Sequence, residues 1–151
     1  LHMTILRPCN IVGPGVQNTM SSLLSSKHAP VLAGFSPVMQ FIHIDDMADA
    51  IVLSYEKNKS GIYNVAPEDW VSYQQALELS GCSKIPLPSI PPGLPRFLVK
   101  TLDLKIFPAF LLNYFKYSVV IDGRSFNKTF GYKVKRPLKE IFRYYREMKN
   151  S

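Results

Sequence analysis

Cysteine is scarce in this sequence, and no long uncharged apolar run is present. The two cysteines, Cys9 and Cys82, lie far apart, and neither belongs to a C-x-x-C motif or a histidine-cysteine cluster. We therefore expect no metal site and no disulfide framework. No stretch reaches the length of about 18 apolar residues that a membrane-spanning helix requires, and the first residues lack a signal-peptide pattern. These absences favour a reducing, cytoplasmic compartment.

A compact basic patch is also lacking, although the net charge is +7. Residues 1–83 contain four basic and seven acidic side chains, whereas residues 84–151 contain fourteen basic and four acidic ones. The basic excess is dispersed among apolar residues and is not interleaved with aromatics that could stack on bases. We expect a solvated surface here and no nucleic-acid partner.

The composition is that of a folded domain, with 46% hydrophobic and 19% charged residues in a chain of 151. Short strand-like and helix-like patterns alternate, as is typical of an α/β fold with a parallel sheet. Residues 30–38 look irregular. Strands are predicted at 4–7, 41–44, 62–66 and 119–121, and helices at 17–27, 46–57, 73–80, 125–130 and 137–148.

The sharpest of these boundaries lies between the strand at 41–44 and the helix that follows it. Asp45 and Asp46 are expected to cap that helix, because carboxylates accept hydrogen bonds from the free N–H groups of a first turn. Asn18 and Ser72 are the predicted N-caps of two other helices. Pro8 is expected to end the first strand, since proline cannot donate to a sheet.

The segment 86–95 is half proline and predicts a rigid connection between 1–83 and a carboxy-terminal section, 84–151. Apolar residues and scattered lysines fill 97–117, a pattern that fits either a lid or core over a pocket or an association with a membrane surface. The lid or core is favoured, because Pro108 interrupts the long helix that an interfacial anchor prefers.

Four blocks of sequence, in this order, resemble one family. They are 6–14 (LRPCNIVGP), 41–48 (FIHIDDMA), 61–66 (GIYNVA) and 126–132 (FNKTFGY), the last followed by Pro137-Leu138. Together they resemble the carboxy-terminal half of the extended short-chain dehydrogenase/reductases, the NAD-dependent epimerases and dehydratases. The resemblance implies an α/β fold in which 1–83 is the carboxy-terminal part of a Rossmann-type domain. A small, mostly helical substrate-binding or lid region then occupies 84–151.

The chemistry that the resemblance implies is hydride transfer between NAD or NADP and a hydroxyl or carbonyl carbon. In the family a glycine-rich turn binds the dinucleotide and a Tyr-x-x-x-Lys pair acts as acid and base, both in the amino-terminal half. This sequence has no glycine-rich turn. Tyr55 with Lys59 and Tyr145 with Lys149 match the spacing only, because they follow the strand that the family's pair precedes. We therefore assign no catalytic residue and expect a truncated chain that is inactive alone, its amino-terminal half being the missing partner.

The resemblance also implies binding residues. Pro8 and Cys9 match positions beside the nicotinamide end of the cofactor, and Asn10 matches a side-chain amide that contacts substrate. Met39 occupies the position at which UDP-galactose 4-epimerases have an arginine that binds nucleotide phosphate, so a nucleotide-sugar substrate is in doubt. Gln40 remains a hydrogen-bonding candidate for substrate.

These matches leave the substrate and the role open. A small molecule is expected, either a sugar derivative or an apolar alcohol or ketone. His43 and Asp46 match family positions that join strand to helix, so we expect them to be scaffold. The alternative to an enzyme is a non-catalytic binding or regulatory module on the same fold.

Overall fold

The computed structural model describes residues 2–88 and 113–150, and they form an α/β arrangement. The strands are β1 Thr4–Pro8, β2 Asn10–Val12, β3 His28–Leu32, β4 Val38–Met39, β5 Phe41–His43, β6 Gly61–Val65, β7 Val71–Ser72 and β8 Ser83–Leu87. Of the strand pairs among the described residues, three are parallel (β1 with β6, β2 with β5, β3 with β8) and one, β4 with β7, is antiparallel. The helices are α1 Thr19–Ser25, α2 Ile44–Lys57, α3 Tyr73–Leu79, α4 Arg124–Phe130 and α5 Leu138–Asn150.

Two hydrophobic clusters hold these elements together. The first lies among α1, α3 and α5, where Phe41 packs edge to face on Phe142 with ring centroids 5.3 Å apart. The second lies among α2, α4 and β6, where Phe126 and Phe130 stack at 4.5 Å. Both clusters combine residues from 1–83 with residues from 113–150, so α4 and α5 belong to the same cores as the strands. The division of roles at residue 83 stays a prediction.

Proline explains where the strand predictions differ from the structure. β3 occupies part of the segment expected to be irregular, and β8 runs into the expected proline-rich connection. Pro30 and Pro86 lie within these paired strands, as proline can where its missing N–H faces away from the partner. Pro8 ends β1 as predicted, although as its last residue and not as the residue after it, and the next amide, Cys9 N, donates to Val65 O at 3.1 Å.

The segment 119–121 is not a strand, although two of its amides are bonded to the strand region 38–40. Val119 N donates to Val38 O at 3.2 Å, and Ile121 N donates to the side-chain oxygen of Gln40 at 2.8 Å. The side chain of Gln40 therefore takes the place of the backbone hydrogen bonds that a strand at 119–121 would make. The lid prediction for 97–117 falls largely outside the described residues.

The start of α2 is capped by His43 rather than by the two aspartates. Nδ1 of His43 accepts a hydrogen bond from Asp45 N at 3.1 Å. The side chain of Asp46 is fully buried, and its carboxylate accepts hydrogen bonds from Lys135 N at 3.2 Å and Arg136 N at 3.1 Å. Asp46 thus ties the helix to the loop before α5. The other caps are as predicted, with Asn18 and Ser72 accepting from the third residue on.

No helix within 2–88 or 113–150 combines the length and the apolar character needed to cross a bilayer.

Candidate functional site

A cavity of about 200 Å³ brings together all five residues that the sequence singled out. Pro8, Cys9, Asn10, Met39 and Gln40 all line it. The parallel pairing of β2 with β5 accounts for this, because it aligns Asn10 with Phe41 and so sets residues 8–10 beside 39–40. Tyr114, Tyr117, Val119 and Ile121 complete the lining.

The side chain of Asn10 is held in one orientation. Its Nδ2 donates to Gln40 O at 3.0 Å, and its Oδ1 accepts a hydrogen bond from the Tyr114 hydroxyl at 2.5 Å. Burial raises the pKa of Tyr114, an effect that the bond to Asn10 partly offsets. The hydroxyl therefore stays protonated and donates at neutral pH. A substrate hydroxyl could take the place of Tyr114 as the donor to this amide oxygen.

Gln40 is 3% exposed, and both ends of its amide are bonded to backbone. Its Nε2 donates to Pro67 O at 2.7 Å, and its Oε1 accepts from Ile121 N at 2.8 Å. The amide thereby fixes the 119–121 wall of the cavity. A hydrogen bond from Gln40 to substrate would have to compete with these two bonds.

Cys9 and Met39 give the cavity an uncharged, apolar surface. Burial raises the pKa of the Cys9 thiol from 9.0 to about 12, so the sulfur is neutral at physiological pH and is a poor nucleophile. Met39 is 2% exposed, and the apolar side chains of Val119 and Ile121 line the same cavity. Such a surface favours binding of a neutral or apolar group.

A second cavity, of about 370 Å³, adjoins the first. Cys9, Asn10 and Tyr114 line both. Its other lining residues are Ile11 of β2 and the start of α1, namely Asn18, Thr19 and Met20.

The two Tyr-x-x-x-Lys matches lie away from these cavities. Tyr55 is 86% exposed on α2. Tyr145 is 1% exposed, and its hydroxyl accepts from Gly13 N at 2.9 Å and shares a hydrogen bond with Ser21 Oγ at 2.9 Å. Lys149 donates to Ser80 O at 2.8 Å. Tyr145 and Lys149 therefore hold α5 in place.

Sequence reasoning missed the far wall of the site. Tyr114, Val119 and Ile121 are distant in sequence from residues 8–10 and carry no motif, and the apolar pattern around Tyr114 suggested only a lid or core. The short apolar run at 119–121 is the one available signal, and its β-branched residues predict a strand and not the wall of a cavity.

The first 66 residues match the family model described as NAD dependent epimerase/dehydratase family. This part of the chain is therefore similar to that family. Uncharacterised proteins of Mycobacterium tuberculosis and Mycobacterium bovis are 29% identical to the chain over 103 residues, which is 68% of this chain and 26% of each relative.

Solved structures of epimerase/dehydratase type share the fold. RMD from Pseudomonas aeruginosa, complexed with NADPH, superposes with a TM-score of 0.69 at 13% identity over 97% of this chain and 48% of its own. UDP-glucuronic acid 4-epimerase from Bacillus cereus, in complex with UDP-glucuronic acid and NAD, gives 0.68 at 18% identity over 99% of this chain and 46% of its own. The chain has part of a Rossmann-type fold and spans about half the length of these structures.

Proposed function

We propose that this chain is the substrate-facing, carboxy-terminal part of an NAD(P)-dependent epimerase, dehydratase or reductase. The reaction is hydride transfer at a hydroxyl or carbonyl carbon of a small molecule, and the cofactor is NAD or NADP. The observation that carries the proposal is the convergence of Pro8, Cys9, Asn10, Met39 and Gln40 on one cavity, together with the family match over residues 1–66.

Each residue has a role in this proposal. Pro8 and Cys9 lie beside the nicotinamide end of the cofactor, which supplies or accepts the hydride when bound. Asn10 orients the substrate through its fixed amide. Met39 lines the space for the substrate and helps to exclude water. Gln40 holds the 119–121 segment, and it bonds to substrate by exchanging one of its two bonds to the backbone.

Two substrate classes fit. The complexes of the Bacillus cereus epimerase and of MoeE5 contain UDP-glucuronic acid and UDP-glucose, which supports a sugar derivative. Met39 and the apolar wall of Val119 and Ile121 support an apolar alcohol or ketone instead. A cytoplasmic location is part of the proposal, since Cys9 and Cys82 are both free thiols.

A fusion enzyme tests the proposal. The dinucleotide-binding half of an epimerase/dehydratase family member, with its glycine-rich turn and Tyr-x-x-x-Lys pair, is joined ahead of this chain. Absorbance of the reduced nicotinamide is then followed with sugar derivatives and with secondary alcohols or ketones. We expect substrate-dependent turnover, and the substrate class that gives it decides between the two candidates.

Replacing Asn10 in the fusion enzyme tests whether the cavity is the substrate site. Asn10→Ala should raise KM at least tenfold, equivalent to about 1.4 kcal/mol, because the fixed amide is lost from the site. Gln75→Ala removes an exposed amide on α3 and should leave KM unchanged. A fusion that binds cofactor and turns over no substrate would support the non-catalytic module, and turnover insensitive to Asn10→Ala would contradict the proposed site.

A further inference from the structure

Tyr114 stands between the two cavities of the site. The cavities of about 200 Å³ and about 370 Å³ have three lining residues in common, Cys9, Asn10 and Tyr114. Asn10 is the first residue of β2, and Cys9, between β1 and β2, is held by the bond from its amide to Val65 O at 3.1 Å. Tyr114 reaches them from a distant part of the chain, through the 2.5 Å hydrogen bond from its hydroxyl to Asn10 Oδ1.

We propose that Tyr114 is a specificity-determining residue that separates the two cavities, and that moving its ring joins them into one elongated site for a neutral ligand with an extended apolar part. The inference rests on the proposed function only in taking the first cavity as the place of the reacting group. Beyond the proposed function, it specifies that the substrate is long and uncharged, and that Tyr114 limits the length that the site accepts.

The side chain of Tyr114 can move without unfolding its surroundings. Tyr114 is half-buried, whereas its neighbour Phe115 is 2% exposed and packs on Tyr73 with ring centroids 4.8 Å apart. The turn at 113–117 is closed by bonds from Lys116 N and Tyr117 N to Asn113 O. Phe115 and the turn therefore anchor the backbone. A rotamer change at Tyr114 gives up its hydrogen bond to Asn10 and its edge-to-face contact with Phe115, whose ring centroid lies 5.4 Å away.

The surfaces on both sides of Tyr114 suit an uncharged, extended ligand. Met39, Val119 and Ile121 line the first cavity, and Ile11 and Met20 line the second. The polar groups in the second cavity, Asn18 and Thr19, are neutral. Ligand sites usually have a volume of about 300–1,000 Å³. The first cavity is smaller than this and the second is only slightly above the lower limit, whereas the joined cavities lie well within the range.

Methionine methyl groups report on the two cavities separately. Met39 lines the first cavity and Met20 the second, while Met47 lies in the other hydrophobic cluster and Met148 is on α5. With 13C-methyl methionine in the full chain, pentan-2-one and nonan-2-one serve as a short and a long neutral probe. Chemical shifts are followed during titration of the wild type, Tyr114→Phe and Tyr114→Ala. Unchanged Met47 and Met148 signals show that a variant is folded.

In the wild type, both ketones should shift the Met39 signal and leave Met20 unmoved. In Tyr114→Ala, nonan-2-one should shift both signals and bind at least fivefold more tightly, while the affinity for pentan-2-one changes less than twofold. Tyr114→Phe, which keeps the ring and loses the hydroxyl, should lie between the two.

Three results would overturn the inference. They are a joint shift of Met20 and Met39 by nonan-2-one in the wild type, an unchanged preference for ketone length in Tyr114→Ala, and binding of neither ketone to any of the proteins. The titration needs no cofactor and no turnover. An inactive fusion enzyme with an intact length effect would therefore count against the proposed function alone.

Discussion

Asp46 is a buried carboxylate whose partners are mainly backbone amides. Its side chain accepts from Lys135 N and Arg136 N, with the Arg136 guanidinium 3.6 Å away. Asp46→Ala leaves the two backbone amides without their acceptor and removes one of the carboxylates beside Arg136, so we expect the free energy of unfolding to fall by about 3 kcal/mol. Urea denaturation measures this loss.

Asp45 provides the matched control. Its carboxylate is 59% exposed and pairs with the same Arg136 at 2.8 Å. Because exposed ion pairs contribute little, Asp45→Ala should cost at most about 1 kcal/mol. Equal losses for the two variants would mean that burial of Asp46 is not what stabilises this junction.

Cys9 makes stability depend on pH in the alkaline range. Burial raises its pKa from 9.0 to about 12, so above pH 9 the unfolded chain releases the thiol proton while the folded chain retains it. Stability is therefore full below pH 9 and declines as pH rises, by at most about 1.4 kcal/mol per unit from this thiol. Cys9→Ala should lose that part of the decline. A constant difference in unfolding free energy between wild type and variant from about pH 7 to about pH 11 would show that the thiol is not buried as described.

At the scale of elements, α5 is held to the rest of the chain by the hydroxyl of Tyr145. That hydroxyl bonds to Gly13 N and Ser21 Oγ in a buried setting. Tyr145→Phe should lower the free energy of unfolding by about 2 kcal/mol, because it leaves the buried Gly13 amide without an acceptor. Thermal and urea unfolding both measure the effect.

The neighbouring Tyr144 is the control for that change. It is partly buried and contacts the Tyr145 ring with centroids 5.1 Å apart. Tyr144→Phe keeps the ring and should alter stability by no more than about 0.5 kcal/mol. A loss as large as that of Tyr145→Phe would assign the stabilisation to helix propensity or packing instead of the hydroxyl.

Some of the helices, strands and site residues could be predicted from the sequence, and others could not. The change from strand to helix near His43 was predictable because side-chain periodicity switches there, although the capping group was misassigned. β3 and β8 are not predicted, because Pro30 lies in a segment expected to be irregular and Pro86 in the expected proline-rich connection. Only the tertiary pairing shows that their missing N–H groups are tolerated. The near side of the cavity followed from the family resemblance. Its far side depends on contacts between distant segments, such as Tyr114 to Asn10, that no local pattern encodes.

At the scale of the whole molecule, one face of the β1 and β6 pair presents exposed apolar side chains. Ile5 and Ile62 are partners in the register and are 37% and 57% exposed, whereas Leu6 and Tyr63 pack into the second cluster. Parallel sheets are normally covered on both faces. The exposure of Ile5 and Ile62 fits the proposal that a dinucleotide-binding half packs against this chain in the enzyme.

Calorimetric titration with NAD tests the central claim, that this chain is the substrate-facing part of the enzyme and not its dinucleotide-binding part. We expect no saturable heat when NAD is added to the 151-residue chain at concentrations up to about the millimolar range, and micromolar binding to the fusion with a dinucleotide-binding half. Micromolar binding of NAD to the chain alone would contradict the claim.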